Sequence, residues 1–441
     1  MISVEPQIKV GICAGYEKVS VRFNGFFCVE GRLVSGVTNL WADEGKIRGF
    51  GEDGQQLFSG QQILAQPDEK SSTFSIADVT IGVNFHWERR RQETFRGDLR
   101  VLASADQKLI VINEIGLEEY LVSVIASEMS ATAPLEFLKA HAVISRSWLA
   151  AMLREKKNKK LPLQPPGSQE KEIIRWYGRE DHDMFDVCAD DHCQRYQGLP
   201  ETQAGKATEA VCSTRGLFLT HGDDICDARY HKACGGLTED FATAWEDKKV
   251  PYLTSISDWG SDYPPLKTEG EAERWFSSSP PAYCNTTDPD TLQQILPSFD
   301  QETIDFFRWQ VVYSRTELEV MIAEKTGRDL GTILDLIPLS RGPSGRISRL
   351  QILGRKASLI VGKELEIRRL LSQSHLLSSA FTVSAERDSA GVPLRFSLRG
   401  AGWGHGVGLC QIGAAVMAAR GFDAPAILQH YFNGADLQQL Y

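Results

Sequence analysis

Apolar and polar positions alternate in short runs through the first quarter of the chain. Segments 8–12, 19–23 and 26–29 are rich in β-branched and aromatic residues and are separated by Gly or Asn turn signals, the signature of half-buried strands. Segments 74–77, 79–87 and 99–102 continue the pattern, and 109–113 leads out of it. Residues 117–126 are apolar with Glu118 and Glu119 near their front, and Glu128 follows in a stretch, 127–133, that reads as a turn. Pro134 then opens a helix predicted over about 134–155, with Thr132 as its N-cap and Glu136 at the positive end of its dipole. Leu135, Leu138, Ala142, Leu149 and Leu153 recur at helical spacing and face the core. Lys139 and Arg146 lie two turns apart on a neighbouring face, where the ordinary reading is a solvated surface.

Further along, helices are predicted over 291–296, 318–326, 363–371, 409–420 and 424–432, and strands over 307–313, 347–353, 357–361 and 394–398. The stretch 154–172 is charged and rich in Pro and Gly, so it reads as an exposed loop. The fold class is α+β: a β-rich scaffold of many short strands, with a few helices carrying the active cleft. Four regions are expected: a β-rich domain over 1–112, a core over 113–261, an insertion over 262–345 and a C-terminal part of the core over 346–441.

With 441 residues, 42% apolar and 24% charged, the chain has the composition of a folded protein with a sizeable core. Its net charge of −10 argues against a nucleic-acid partner, which calls for a basic surface. No run of about 18 apolar residues predicts a transmembrane helix. Nine cysteines are an odd number and too sparse for a disulfide scaffold.

Three segments carry a resemblance: LEEYLVSVIASEM, PLEFLKAHAVISR and GWGHGVGLCQIGA. They resemble the signature segments of the SpoIID/LytB family, the stage II sporulation protein D and amidase-enhancer relatives. The resemblance implies lytic transglycosylation of bacterial peptidoglycan glycan strands. It places the catalytic carboxylate on Glu128 and the family's Lys and Arg on Lys139 and Arg146, read here as substrate-binding. Two positions depart from the family pattern: Ser130 stands where Pro is usual and His141 where Gln is usual.

In the C-terminal segment, five glycines between Gly400 and Gly408 suit close backbone approach rather than a regular element. His405 inside this loop and Gln411 at the mouth of the next helix are candidates to face substrate, as is Tyr230. Each has a plainer alternative in core packing or a hydrogen bond to backbone. Phe85, His86 and Trp87 read as core aromatics or glycan contacts. Cys226 and Cys234 read as a pair, or as spare ligands with His231. Cys410 as the nucleophile of a peptidase, with His405 as base, lacks an orienting third group.

His182, Cys188, His192 and Cys193 fall within a short stretch, and two imidazoles with two thiolates match a tetrahedral zinc site. The order also matches the zinc site that the resemblance implies. Four protein ligands make such a site closed and structural; the alternative is a reduced Cys188 buried in the core, with Cys193 free or in a disulfide.

A lytic transglycosylase needs one carboxyl group, which protonates the leaving oxygen and then takes the proton of the muramic acid C6 hydroxyl. Ordinary glycosidases use two carboxylates. The competing reading is a non-catalytic glycan-binding enhancer that stimulates a cell-wall amidase. A zinc hydrolase is the third, and the four-ligand count speaks against it. The chain starts without a charged and apolar leader, which leaves two locations open: the cell envelope, if a signal peptide has been removed, or the cytoplasm.

Overall fold

The computed structural model describes residues 2–83, 88–157, 171–177, 182–200, 205–297, 300–301 and 305–441. Phe85, His86 and Trp87, and most of the predicted loop at 154–172, lie outside these. The α+β class is as expected, and strands dominate the N-terminal part.

An eleven-stranded sheet occupies that part. Gln7–Tyr16 pairs antiparallel with Leu109–Gly116, which pairs with Asp98–Ala103; Gln62–Pro67, Lys18–Val29 and Arg32–Asp43 follow. Alternation fixes the register. In Lys18–Val29, Val19, Val21 and Phe23 are buried, and after an irregularity Phe27 and Val29 return to the same face. The edge strand Val187–Cys188 adds parallel to Gln7–Tyr16 and ties the His–Cys segment to this sheet.

Helix α1 (Leu117–Glu128) leaves the strand Leu109–Gly116 directly. Its buried Leu117, Tyr120, Leu121, Val124 and Ile125 form one apolar stripe at helical spacing. Glu128 is therefore the last residue of a helix and not part of a turn. The sequence 117–126 was too uniformly apolar to mark that end.

Helix α2 (Leu135–Lys157) starts just after Pro134. Thr132 does not cap it; its hydroxyl donates instead to the Gln294 carbonyl at 2.9 Å. Residues 137–150 of α2 are buried in every direction except at Lys139. The helix packs against α1 and the helices Gly205–Ser213, Gln411–Ala419 and Ala424–Tyr431, with the strand Leu217–His221 on a further side. This central position corrects the expectation of a wet face bearing Arg146.

A second core gathers Trp309, Leu336, Leu350, Phe381 and Phe396. It is built on a three-stranded sheet (Arg308–Ser314, Pro393–Ala401, Phe381–Arg387) and a four-stranded one (Glu172–Ile174, Ser358–Gly362, Ile347–Gly354, Ile333–Arg341). The predicted boundary at 345/346 falls inside the antiparallel hairpin of Ile333–Arg341 with Ile347–Gly354. Its Gly-Pro-Ser-Gly signal marks a hairpin turn, so 262–345 and 346–441 are not separate units there.

Candidate active site

Where the sheet, α1 and the C-terminal segment meet, a cleft of about 720 Å³ opens. Glu128 lines it, with Tyr230, His231, Lys232, Trp245, His405 and Gln411. The carboxyl of Glu128 is asymmetrically held. The Arg195 backbone N–H and the Tyr230 hydroxyl both donate to Oε1 at 3.0 Å. Among the described residues, Oε2 has no hydrogen-bond partner. A carboxyl held this way has Oε1 as its bonded acceptor and keeps the lone pairs of Oε2 unused by the described residues.

Two cations stand near it. Lys232 Nζ donates to the Glu128 carbonyl at 3.2 Å and bonds Asp300 at 2.7 Å. The Arg195 side chain bonds Asp191 and lies 3.7 Å from the same Asp300 carboxylate. These cations come from residues far from Glu128 in sequence, and only the backbone fold brings them together. The pattern of the first block pointed instead to Lys139 and Arg146, and the structure separates both from the cleft. Arg146 is fully buried and spends its guanidinium on Glu118, at 3.0 and 2.6 Å, and on the Leu217 carbonyl. Lys139 pairs with Glu136 at 2.7 Å. A Lys and an Arg spaced along one helix fix only its face, and both faces here have other partners.

Tyr230 is seated by a parallel bridge, Tyr230 to Leu409 and His231 to Cys410. Burial and the charge of Glu128 push its phenol well above the usual value, so it remains a donor. His231 donates from Nδ1 to the Val407 carbonyl at 3.2 Å, which leaves Nε2 as a buried acceptor without a partner among the described residues. Burial, with Arg346 nearby, pulls it down to about 3. His405 takes the Val407 N–H on Nδ1 at 3.0 Å, and burial, His231 and nearby guanidinium groups hold it far below the ordinary imidazole value. Both rings are thus neutral, polar walls. Trp245 meets His405 edge to face at 4.8 Å and carries Arg229 over its ring.

The glycine loop is shaped by close approach. Gly406 has a positive φ of 80°, and a Cβ there would sit 2.4 Å from the Arg346 guanidinium carbon. Arg346, in turn, donates to the Gly404 carbonyl at 3.1 Å and so holds the loop from beneath.

His141, one of the two departures from the family pattern, is buried under this cleft. Gln411 Nε2 lies 3.0 Å from His141 Nε2, and His141 Nδ1 lies 3.3 Å from Ser145 Oγ. The amide donates to Nε2, so Nδ1 carries the ring proton. Burial pulls this imidazole down to about 3. Its ring also packs on Tyr230 at 4.8 Å.

His182, Cys188, His192 and Cys193 converge beside the cleft, with their donor atoms all within 4.8 Å of one another. Cys193 Sγ lies 3.4 Å from both His182 Nε2 and His192 Nδ1. Cys226 and Cys234 do not pair: all nine cysteines are free thiols, and Cys234 instead joins Cys284 and Cys410.

The stage II sporulation protein domain matches residues 105–221, and a domain of unknown function (DUF8618) matches 239–408. Stage II sporulation protein D of Bacillus subtilis is 26% identical over 331 residues, covering 74% of this chain and 76% of that protein. Stage II sporulation protein D of Bacillus amyloliquefaciens is 24% identical, with the same coverage. An uncharacterised protein of Brachyspira hyodysenteriae is 27% identical over 75% of this chain and 68% of its own. The matched domain carries α1, α2 and the four converging His and Cys residues, and the chain is similar to stage II sporulation protein D over about three quarters of its length.

Proposed function

We propose that this protein is a peptidoglycan lytic transglycosylase that uses Glu128 alone as general acid and base. The observation that carries the reading is the divided carboxyl of a cleft-lining residue: Oε1 accepts two hydrogen bonds, and Oε2 accepts none from the described residues. A neutral Glu128 has its proton on Oε2, where it reaches the oxygen between N-acetylmuramic acid and N-acetylglucosamine. That oxygen takes the proton as its bond to C1 breaks. The C6 hydroxyl of the same muramic acid then closes on C1 and returns its proton to Oε2, which gives a 1,6-anhydro end without consuming water. The Arg195 N–H and the Tyr230 hydroxyl stabilise the carboxylate between the two steps.

His231 Nε2 supplies an acceptor for a sugar hydroxyl, and Trp245 a face for a sugar ring. His405 and Gln411 complete the wall. Lys232 and Arg195 are each paired with a carboxylate, so they orient the cleft wall rather than give it a net positive charge. Zinc held by His182, Cys188, His192 and Cys193 fits the donor set. When bound there it is closed by four protein ligands and fastens the segment that delivers the Arg195 N–H to Glu128. Among the described residues no helix is long and apolar enough to cross a membrane. A wall substrate places the protein outside the cytoplasm.

The test is mass spectrometry of products from purified, peptide-free glycan strands. Anhydro ends that disappear in Glu128→Gln are expected. If the protein alone yields no product yet accelerates a cell-wall amidase, the enhancer reading replaces this one.

A further inference from the structure

Beneath the cleft lies a second cluster of metal-type donors. Cys234, Asp258, Cys284 and Cys410 come from four separate segments, and all are buried. One donor atom from each lies within 4.8 Å of all the others. Cys234 Sγ and Cys284 Sγ are 3.5 Å apart. In a tetrahedral site with Zn–S bonds of about 2.3 Å, neighbouring sulfurs stand about 3.8 Å apart.

Buried thiols alone would be unremarkable as small apolar groups. Asp258 changes that. Its carboxyl is fully buried, accepting from the Tyr431 hydroxyl and the Cys284 N–H at 2.8 Å. Among the described residues it has no ion-pair partner. A buried carboxylate without a counter-charge is costly, and three thiols beside it point to a cation as the missing charge. The sulfurs are prepared as acceptors. The Cys234 N–H donates to Cys410 Sγ and the Gly236 N–H to Cys234 Sγ, each at 3.3 Å. Such bonds stabilise thiolates and orient them as ligands. A single disulfide would use two of the three sulfurs and leave one thiol and the carboxylate unspent; a metal uses all four donors.

We propose that Cys234, Asp258, Cys284 and Cys410 form a closed, structural site for a thiophilic divalent cation, zinc being the first choice by ligand set. Its position gives it a role. Cys234 lies two residues after Lys232, and Cys410 lies between the glycine loop and Gln411. The cation therefore clamps together the two segments that form the cleft wall.

The test is elemental analysis of the full-length protein, purified under reducing conditions, combined with variants. Two zinc ions per chain are expected in the wild type, one for each cluster. One should survive in Cys188→Ser/Cys193→Ser and one in Asp258→Ala, and two should remain in Asp258→Cys, which replaces the carboxylate by a fourth thiolate. Cobalt loaded into Cys188→Ser/Cys193→Ser should give the charge-transfer absorption of thiolate ligation. Where a variant fails to fold, the wild-type stoichiometry decides. A single zinc that Cys188→Ser/Cys193→Ser abolishes, no zinc at all, or an intact mass lowered by the two hydrogens of a disulfide would overturn the proposal. The count in Cys188→Ser/Cys193→Ser is independent of whether the protein cleaves glycan.

Discussion

Helix α1 carries a buried carboxylate at each end, and the two are treated in opposite ways. Glu118, in the first turn, meets a bidentate guanidinium from Arg146 and also accepts from the Gly216 N–H and the Tyr441 hydroxyl. Both of its oxygens are occupied. Glu128, in the last turn, lines the cleft with one oxygen engaged and the other without a hydrogen bond among the described residues. Identical side chains on one helix thus divide into a saturated member and a half-saturated one, and the proposed function assigns the chemistry to the second. The distinction lies in saturation, since both are nearly out of solvent. A saturated carboxylate has no lone pair to offer a substrate, whereas a half-saturated one has orientation from one side and reactivity on the other.

The sharpest way to break this comparison is at the reactive end. Glu128→Gln keeps an acceptor for Tyr230 and Arg195 but removes the proton. Cleavage of glycan strands should fall by about 10²- to 10⁴-fold, with thermal unfolding nearly unchanged. Equal activity in the variant would return Glu128 to the structural class.

At the saturated end, Arg146→Ala leaves Glu118 buried and unpaired. A loss of about 3–5 kcal/mol in stability is expected from urea unfolding, and residual activity should track the folded fraction. A stable but inactive Arg146→Ala protein would instead restore Arg146 to the substrate. Tyr230→Phe removes one of the two bonds on Oε1. A single hydrogen bond to a charged group predicts a loss of roughly ten- to a hundredfold in rate, read as initial product release with stability controlled.

Lys139→Ala removes only a partly exposed pair with Glu136 and should change stability by less than about 1 kcal/mol, with cleavage unaltered. The smallest effect concerns pH. His231 and His405 are both held far below the ordinary imidazole range, so each remains neutral as pH rises from about 5 to 8. His405→Gln should alter rate without altering the shape of the pH–rate profile. A limb lost in that variant would make His405 a proton carrier.

Much of this was legible in the chain. The apolar period around Leu138 predicts the helix after Pro134, and the motif resemblance points to Glu128; the helix over Leu117–Glu128 shows in the sequence only as an apolar stretch. The partition between Glu118 and Glu128 was not legible, because it depends on what covers α2. Leu135, Leu138 and Ala142 announce one buried face; that the opposite face is buried too follows only once Leu217–His221 and Ala424–Tyr431 dock on it. Lys232 and Arg195 were missed for a related reason. They reach Glu128 across 104 and 67 residues of chain, and no local spacing records such a contact. His141 was visible as a departure from a pattern, but its bond to Gln411 spans 270 residues.

The bridge between Tyr230–His231 and Leu409–Cys410 has a consequence for how the protein matures. The phenol that orients Glu128 is positioned by backbone synthesised much later. Closing so long a loop is a slow, late event in folding. The N-terminal part of the chain can therefore contain Glu128 without yet having the cleft that Tyr230 and the glycine loop complete. The cleft is complete only when the far end of the polypeptide returns to the middle.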